Sequence, residues 1–164
     1  MLAGPLTHMI NTSIRKGVFP KNWKEAKVVP LHKKGDKQTL KNFRPVALLA
    51  VAGMILERII AIQIEEYFES NGLFSEFQFG FRRNKSTISE LLTLFENLNE
   101  AKEARLYIML LMYDLSAAFD TVSHDVLCQK LMIYGFDTES MKWIESYLDA
   151  RKQSDSLWAS IRPT

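Results

Sequence analysis

The chain has 164 residues, of which 47% are hydrophobic and 24% charged, as in an ordinary globular domain with enough length for one core. Its net charge of +2 is too small to indicate nucleic-acid binding by itself. The one cysteine, Cys128, excludes an intrachain disulfide and a zinc site built from several thiolates. A reducing compartment is therefore the default expectation.

The sequence shows neither a membrane-spanning segment nor a secretory signal, which favours an intracellular protein. The longest apolar run, residues 46–56, is too short to cross a bilayer, which needs about 20 residues. The amino terminus lacks the basic and then apolar layout of a secretory signal. We therefore expect a protein of the cytoplasm and nucleus without a membrane partner.

The first part of the chain predicts a helix followed by a β-hairpin. Apolar residues at helical spacing indicate a helix over Leu6–Lys16, and Gly17 is a stop signal. A strand over Ala26–His32, a basic turn around Gly35 and a second extended piece ending near Leu49 then form the hairpin. Taken by itself, such a basic tip is more often a solvated turn than a binding site, and both interpretations stay open.

Two contrasting segments follow the hairpin. Residues 50–70 have apolar side chains at helical spacing and end at Gly72, which predicts a packing helix. In that helix Gly53 suggests close packing against a neighbour. Phe77, Phe79 and Phe81 then alternate with small, polar or cationic residues, and we expect these three rings to lie in the core.

A helix and a buried strand are predicted next. Thr87 and Glu90 have the spacing of a capping box, which opens a helix through about Ala104 with an inward apolar face. The unbroken apolar run over 106–113 predicts a central strand with Asp114 at its carboxyl end. Two interpretations stay open: Asp114 or Asp120 caps a following helix, or Asp114 is a metal ligand at the edge of a sheet.

The last predicted elements are two helices, over Ser123–Tyr134 and over 138–150, the second with Trp143 and Ile144 among its inward residues. His124 and Asp125 are as well explained by capping or surface roles as by a metal pair.

Three stretches resemble the reverse transcriptases of the non-LTR (LINE-like) retrotransposon group. YDLSAAFDTVSH resembles the group's first catalytic motif, and LFSEFQFGFRRNKST resembles its QFGFR motif. WKEAKVVPLHKKGD followed by NFRPVALL resembles its fingers segment. The resemblance extends from Met1 to Gln153.

This resemblance implies an α+β fold: the fingers and partial palm of a right-hand polymerase, with helices on a small, mainly antiparallel sheet. Residues 1–105 would form a fingers-like region, residues 106–153 the start of the palm, and residues 154–164 a divergent tail. The implied activity is RNA-directed DNA synthesis with RNA template, DNA primer and dNTP as partners.

The resemblance also implies site residues. Asp114 would be the catalytic aspartate and would hold Mg²⁺ or Mn²⁺ together with the main-chain carbonyl of Leu115. Phe119 would lie under the sugar of the nucleotide and exclude a 2′-hydroxyl. The other nucleotide-binding residues would be Arg44, one of Lys33, Lys34, Lys37 and Lys41, and the backbone of Ser116, Ala117 and Ala118. The template-binding residues would be Gln78, Gly80, Arg82 and Arg83.

The group's second acidic motif and its thumb have no counterpart here, and the sequence contains no Asp-Asp pair. We therefore expect a fragment that is inactive alone, unless a separate chain supplies the missing palm and thumb. The alternatives are a nucleic-acid-binding remnant without chemistry and a decayed relic without function.

Overall fold

The computed structural model describes residues 2–39, 42–115 and 118–154, which form an α+β arrangement with a small mixed sheet. The chain divides into two units, described separately below. The first comprises Met1–Ile60 and Ser123–Thr164, and the second comprises Ala61–Val122. The predicted limits of fingers and palm stay predictions.

The elements of the described residues are α1 (Ala3–Lys16), a 3₁₀ helix (Lys21–Trp23), β1 (Glu25–His32), β2 (Phe43–Leu48), α2 (Val51–Ser70), α3 (Thr87–Glu103), α4 (His124–Ile133), α5 (Thr138–Leu148) and β3 (Lys152–Ser154). The strand order is β2-β1-β3, with β1 antiparallel to β2 and parallel to β3. The predicted α+β class is thus confirmed, and the sheet is mixed. None of the described helices is both long and apolar enough to cross a membrane.

The predicted hairpin is confirmed, and the geometry of its turn explains why residue 35 is a glycine. His32 pairs with Phe43 at the last register position, and the amide of Lys33 donates to the Asn42 carbonyl at 2.8 Å. Gly35 has a φ of +83°, and a Cβ there would lie 2.9 Å from the Asn42 side-chain nitrogen. That nitrogen in turn donates to the Asp36 carbonyl at 2.8 Å, so the turn is closed by its own polar groups.

The core of the first unit forms around the fully buried ring of Phe19. Trp23, Trp143 and Tyr147 each meet this ring edge-on, with centroid distances of 6.2, 5.6 and 5.2 Å. Trp143 and Tyr147 stack on each other at 5.5 Å. The predicted inward face of α5 is confirmed by the burial of Trp143 and Ile144. Edge-on aromatic contacts contribute beyond the apolar area that they bury.

Hydrogen bonds also connect α1 and the segment that follows it to α5. The Ser13 hydroxyl donates to the Val18 carbonyl at 2.7 Å and accepts from the indole nitrogen of Trp143 at 3.1 Å. The amide of Phe19 donates to the Ser146 hydroxyl at 3.0 Å. Gly53 packs close to Trp23, since a Cβ on Gly53 would lie 3.2 Å from the Trp23 Cβ. This contact agrees with the close packing expected of that glycine.

The second unit buries much less apolar surface. Helix α3 begins as predicted, but its cap is Ser86, which forms a capping box with Ser89. The prediction that α3 turns an apolar face inward is wrong, because none of its residues is buried and Ile88, Leu92 and Phe95 are exposed. Phe77 and Phe81 are exposed as well, so the prediction that their rings lie in the core is also wrong.

The central strand predicted over 106–113 is not formed. Residues 106–115 have no regular secondary structure, and all are exposed. A strand needs a neighbouring strand to pair its amides and carbonyls. The described residues of the second unit contain no strand that could serve as this neighbour. Apolar patterning alone therefore overestimated this element.

Replacing Ser13 tests the hydrogen bond that connects α1 to α5. Ser13→Ala removes the acceptor of a buried indole N–H, and we expect a loss of about 1–3 kcal/mol in the free energy of unfolding. Urea denaturation followed by tryptophan fluorescence measures this loss. Thr7→Ala, on an exposed position of the same helix, is the matched control and should change stability by about 0.5 kcal/mol or less. Equal effects of the two substitutions would contradict the role of Ser13.

Candidate functional site

The acidic end of the apolar run is open to solvent. Asp114 and Leu115 are both exposed, while Ser116 and Ala117 lie outside the described residues. Ala118 is half-buried, and its carbonyl accepts from the Thr121 hydroxyl at 3.1 Å. Helix α4 is capped by Ser123, whose hydroxyl accepts from the Val126 amide. The interpretation of Asp114 or Asp120 as the cap of that helix is therefore wrong.

The donors at this position are of one chemical kind. A carboxylate and a main-chain carbonyl are the hard oxygen donors that Mg²⁺ and Mn²⁺ prefer. Among the residues described, no three His, Cys, Asp or Glu side chains come together so as to hold a metal ion. Asp114 and Leu115 thus fit such an ion by chemistry, and they supply only part of a donor set.

The β1–β2 hairpin carries most of the predicted phosphate-binding cations. Arg44 is exposed on β2, directly opposite Leu31 of β1. Lys33 directly follows the last residue of β1, and its amide donates to the Asn42 carbonyl, so the alternation of β1 is expected to place Lys33 on the face of Leu31 and Arg44. His32 and Phe43 occupy the other face, with ring centroids 5.2 Å apart. Lys34 and Lys37 are exposed within the turn, and Lys41 lies outside the described residues.

Arg82 is held by its own chain. Its Nε and Nη2 donate to the two carboxylate oxygens of Glu69 at 2.9 and 2.8 Å. Its Nη1 donates to the carbonyls of Ser75 and Gln78 at 2.9 and 3.4 Å, and the guanidinium lies 4.9 Å from the Phe74 ring centroid. These bonds use four of the five guanidinium N–H groups and leave the side chain 12% exposed. Arg82 therefore fixes the segment after α2 to the end of that helix.

Arg83 is held much more loosely. Its amide donates to Glu65 at 3.1 Å, but its guanidinium lies 3.7 Å from Glu65 and 4.0 Å from Glu66. The side chain is 55% exposed. Of the two neighbouring arginines, Arg83 is the one whose charge is available to a ligand.

The glutamates that hold both arginines were not singled out from the sequence. Glu65 and Glu69 stand four residues apart on α2 and so share one helix face. That spacing was the available signal, but it is shared by many solvated helices, and their arginine partners are 13 to 18 residues away.

The other predicted template residues lie on an open surface. Gln78 and Gly80 are exposed, and the side-chain Nε2 of Gln78 donates to the Gly80 carbonyl at 3.5 Å. A Cβ built on Gly80 would meet nothing within 4 Å. The chain itself therefore has no steric need for a glycine there.

Two exposed rings meet beside this surface. Phe81 and Phe119 are 89% and 82% exposed, and their centroids lie 6.2 Å apart in an edge-on arrangement. Phe81 has a φ of +59°, a left-handed conformation that is unfavourable for a bulky residue. Lys85 places its ammonium 4.8 Å from the centroid of the third ring, Phe79. The segment thus presents aromatic faces together with cations.

Comparison with known proteins identifies the relatives of this chain. Residues 31–162 match the family model described as reverse transcriptase (RNA-dependent DNA polymerase). The chain is 30% identical over 148 residues to the probable RNA-directed DNA polymerase from transposon BS of Drosophila melanogaster, with 90% of this chain covered. It is 31% identical over 162 residues, 96% of the chain, to the RNA-directed DNA polymerase from mobile element jockey of the same organism.

A third relative is the retrovirus-related Pol polyprotein from type-1 retrotransposable element R2 of Popillia japonica, 26% identical over 86% of this chain. The chain spans only 16%, 18% and 19% of the lengths of these three relatives. The resemblance to non-LTR retrotransposon polymerases is confirmed.

The pairing of Glu69 with Arg82 predicts a pH dependence of stability. The hydrogen bonds from Arg82 lower the pKa of Glu69 in the folded chain. The stability that this adds is present above the ordinary pKa of a glutamate, about 4.3, and is lost as pH falls through the lower folded value. Chemical denaturation at a series of pH values should therefore show Glu69→Gln less stable than wild type near pH 7, with the difference shrinking in acid.

The matched control is Glu76→Gln, an exposed position in the segment that follows α2. It should follow the wild-type profile throughout. A wild-type advantage over Glu69→Gln that stays constant down to the most acidic pH would contradict a role of the ionised carboxylate.

Proposed function

The chain belongs to the reverse transcriptase (RNA-dependent DNA polymerase) family, and we propose that it is part of the polymerase domain of a mobile element that copies RNA into DNA. The observation that carries this proposal is the exposed Asp114, within a motif that lies inside the matched region. The substrates would be an RNA template, a DNA primer and deoxynucleoside triphosphates.

In this proposal Asp114 and the carbonyl of Leu115 would hold a divalent metal ion, Mg²⁺ or Mn²⁺. In nucleotidyl transfer such ions activate the attacking hydroxyl and stabilise the leaving oxygen. The residues of the chain bind and orient: Arg44 grips the triphosphate, the backbone of Ser116 to Ala118 cradles it, and Phe119 lies against the sugar. A planar guanidinium suits this task because it donates bidentately to phosphate oxygens.

The template would run past the segment after α2. Gln78 and Gly80 lie on an open surface, and Arg83 offers a half-exposed charge. We assign the template phosphate contact mainly to Arg83, while Arg82 positions it by tying the segment to Glu69. Contacts of this kind hold a strand without reading its sequence.

We further propose that this chain alone does not extend a primer. A two-ion mechanism needs several carboxylates, and Asp114 is the only side-chain carboxylate that the resemblance assigns to the metal ions. Primer extension on a homopolymer template with Mg²⁺ or Mn²⁺ should give no product. Extension that is abolished by Asp114→Ala would overturn this proposal. Product gained on adding a second chain with the palm and thumb would support the division of the domain.

We propose Lys33 as the second phosphate-binding cation, because its position after β1 is expected to place it on the face that carries Arg44. Lys33→Ala should weaken binding of a deoxynucleoside triphosphate about tenfold, because a hydrogen bond to a charged group contributes about 1.5 kcal/mol. Fluorescence titration with a labelled nucleotide measures this change. Lys34→Ala removes the neighbouring charge and serves as the control, with an effect well below that of Lys33→Ala. Equal losses would indicate a diffuse charge effect instead.

The second candidate function is nucleic-acid binding without chemistry. It is favoured by the exposed rings of Phe81 and Phe119 near the half-exposed Arg83, because single strands bind to aromatic faces and cations. Anisotropy titrations with a single-stranded RNA at several salt concentrations test it. We expect affinity to fall with salt, and Arg83→Gln should reduce the log-log slope by about 1.

Arg58→Gln is the control for this titration, since Arg58 is exposed on α2 and is not among the predicted template residues. A salt slope near zero would exclude nucleic-acid binding through phosphates. Aggregation without cooperative unfolding would instead support the relic interpretation, given the exposed apolar residues 106–115.

A further inference from the structure

A cavity of about 550 Å³ lies in the first unit, and none of its lining residues is among the metal-, nucleotide- or template-binding residues predicted above. Its walls come from the start of β1, the end of α5 and the beginning of β3, and its lining includes Lys24, Leu148, Arg151 and Lys152. A volume of this size is typical of small-molecule sites. The family resemblance assigned no role to any residue of this cavity.

Lys24 brings a buried positive charge to the wall. It is only 8% exposed, and its ammonium donates to the Asp149 carbonyl at 3.0 Å. An ammonium has three N–H donors, so that bond leaves two more to satisfy. Among the described residues no carboxylate forms an ion pair with Lys24. A charge withdrawn from water without a counterion is costly, and an anion in the cavity would offset that cost.

Arg151 brings a second unmet donor. Its Nη2 donates to Glu57 at 3.1 Å, and its guanidinium lies 4.4 Å from the centroid of the Tyr147 ring. Its Nη1 is buried and has no hydrogen-bond partner among the described residues. Buried donors in folded proteins are nearly always paired, so an orphaned guanidinium nitrogen marks a place where an acceptor is missing.

The surroundings favour an anion overall. Lys24, Arg151 and Lys152 contribute three positive charges, against the carboxylates of Glu57 and Asp149. Asp149 is exposed, and Glu57 is already engaged by Arg151. His124, the first residue of α4, lines the cavity too and can add a further donor.

From the unmet donors of Lys24 and Arg151 in one cavity, we propose that the first unit binds a phosphate group there. The available donors number at least three, and a phosphate offers three or more acceptor oxygens in different directions. A carboxylate has only two acceptor oxygens, which lie in one plane, and a single negative charge, so it matches this set of donors less well. The phosphate could belong to a free phosphate or nucleotide, or to a nucleic-acid backbone. This site does not depend on the polymerase activity proposed above.

The test uses the complete chain and inorganic phosphate. Thermal unfolding is followed during titration with sodium phosphate, with sodium chloride at equal ionic strength as the reference. A ligand that binds only the folded chain raises the midpoint in a saturable way. We expect such a rise for wild type, and we expect Lys24→Met to weaken phosphate binding about tenfold or more.

Lys27→Met is the matched control, because Lys27 lies on β1, is exposed and does not line the cavity. It should bind phosphate as wild type does. If Lys24→Met does not fold, Lys152→Gln provides a second variant at an exposed cavity position, with an expected severalfold loss of affinity. No saturable rise for wild type, or equal rises for wild type and the cavity variants, would overturn the proposal.

A competition arm separates the sources of the phosphate. A short single-stranded RNA is added while phosphate binding is measured by calorimetry. Competition would support the site and identify a nucleic-acid backbone as its ligand. Phosphate binding that is lost in Lys24→Met but is unaffected by RNA would support the site for a free phosphate or a nucleotide.

Discussion

The burial of Phe19 is the constraint on which the first unit depends. This ring has no solvent exposure, and it joins the 3₁₀ helix to α5 through three edge-on aromatic contacts. Tyr147 lies at the end of α5, and Arg151 and β3 follow within a few residues of that helix. The parallel pairing of β3 with β1 and the cavity beside it are consequences of that placement.

The sequence correctly predicted those elements whose ends are determined by residues nearby in the chain. Gly17 ends α1 with a left-handed backbone, Ser123 caps α4, and Gly35 closes the hairpin turn, so these elements could be predicted from neighbouring residues. The strand over 106–113 could not, because pairing depends on a partner strand that the local sequence does not specify. The same holds for α3, whose apolar stripe was recognisable while its exposure was not.

The candidate site shows a similar division. The motif around Asp114 and the basic hairpin were recognisable from the order of their residues. The bidentate hydrogen bonding of Arg82 to Glu69 was not, because it joins residues 13 apart through a segment with left-handed backbone at Gly72 and Phe81. The unmet donors of Lys24 and Arg151 were equally invisible, since they depend on the contact of segments more than 120 residues apart.

The first unit is discontinuous, and this has a consequence for its synthesis. The amide of Phe19 bonds to Ser146, 127 positions later, and β1 acquires its parallel neighbour only when Lys152 has been made. At ribosomal rates of about 5–20 residues per second, Phe19 waits roughly 6 to 25 s for that partner. During that interval the nascent aromatic cluster is incomplete and open to chaperones, and the whole intervening unit is produced before the first can close.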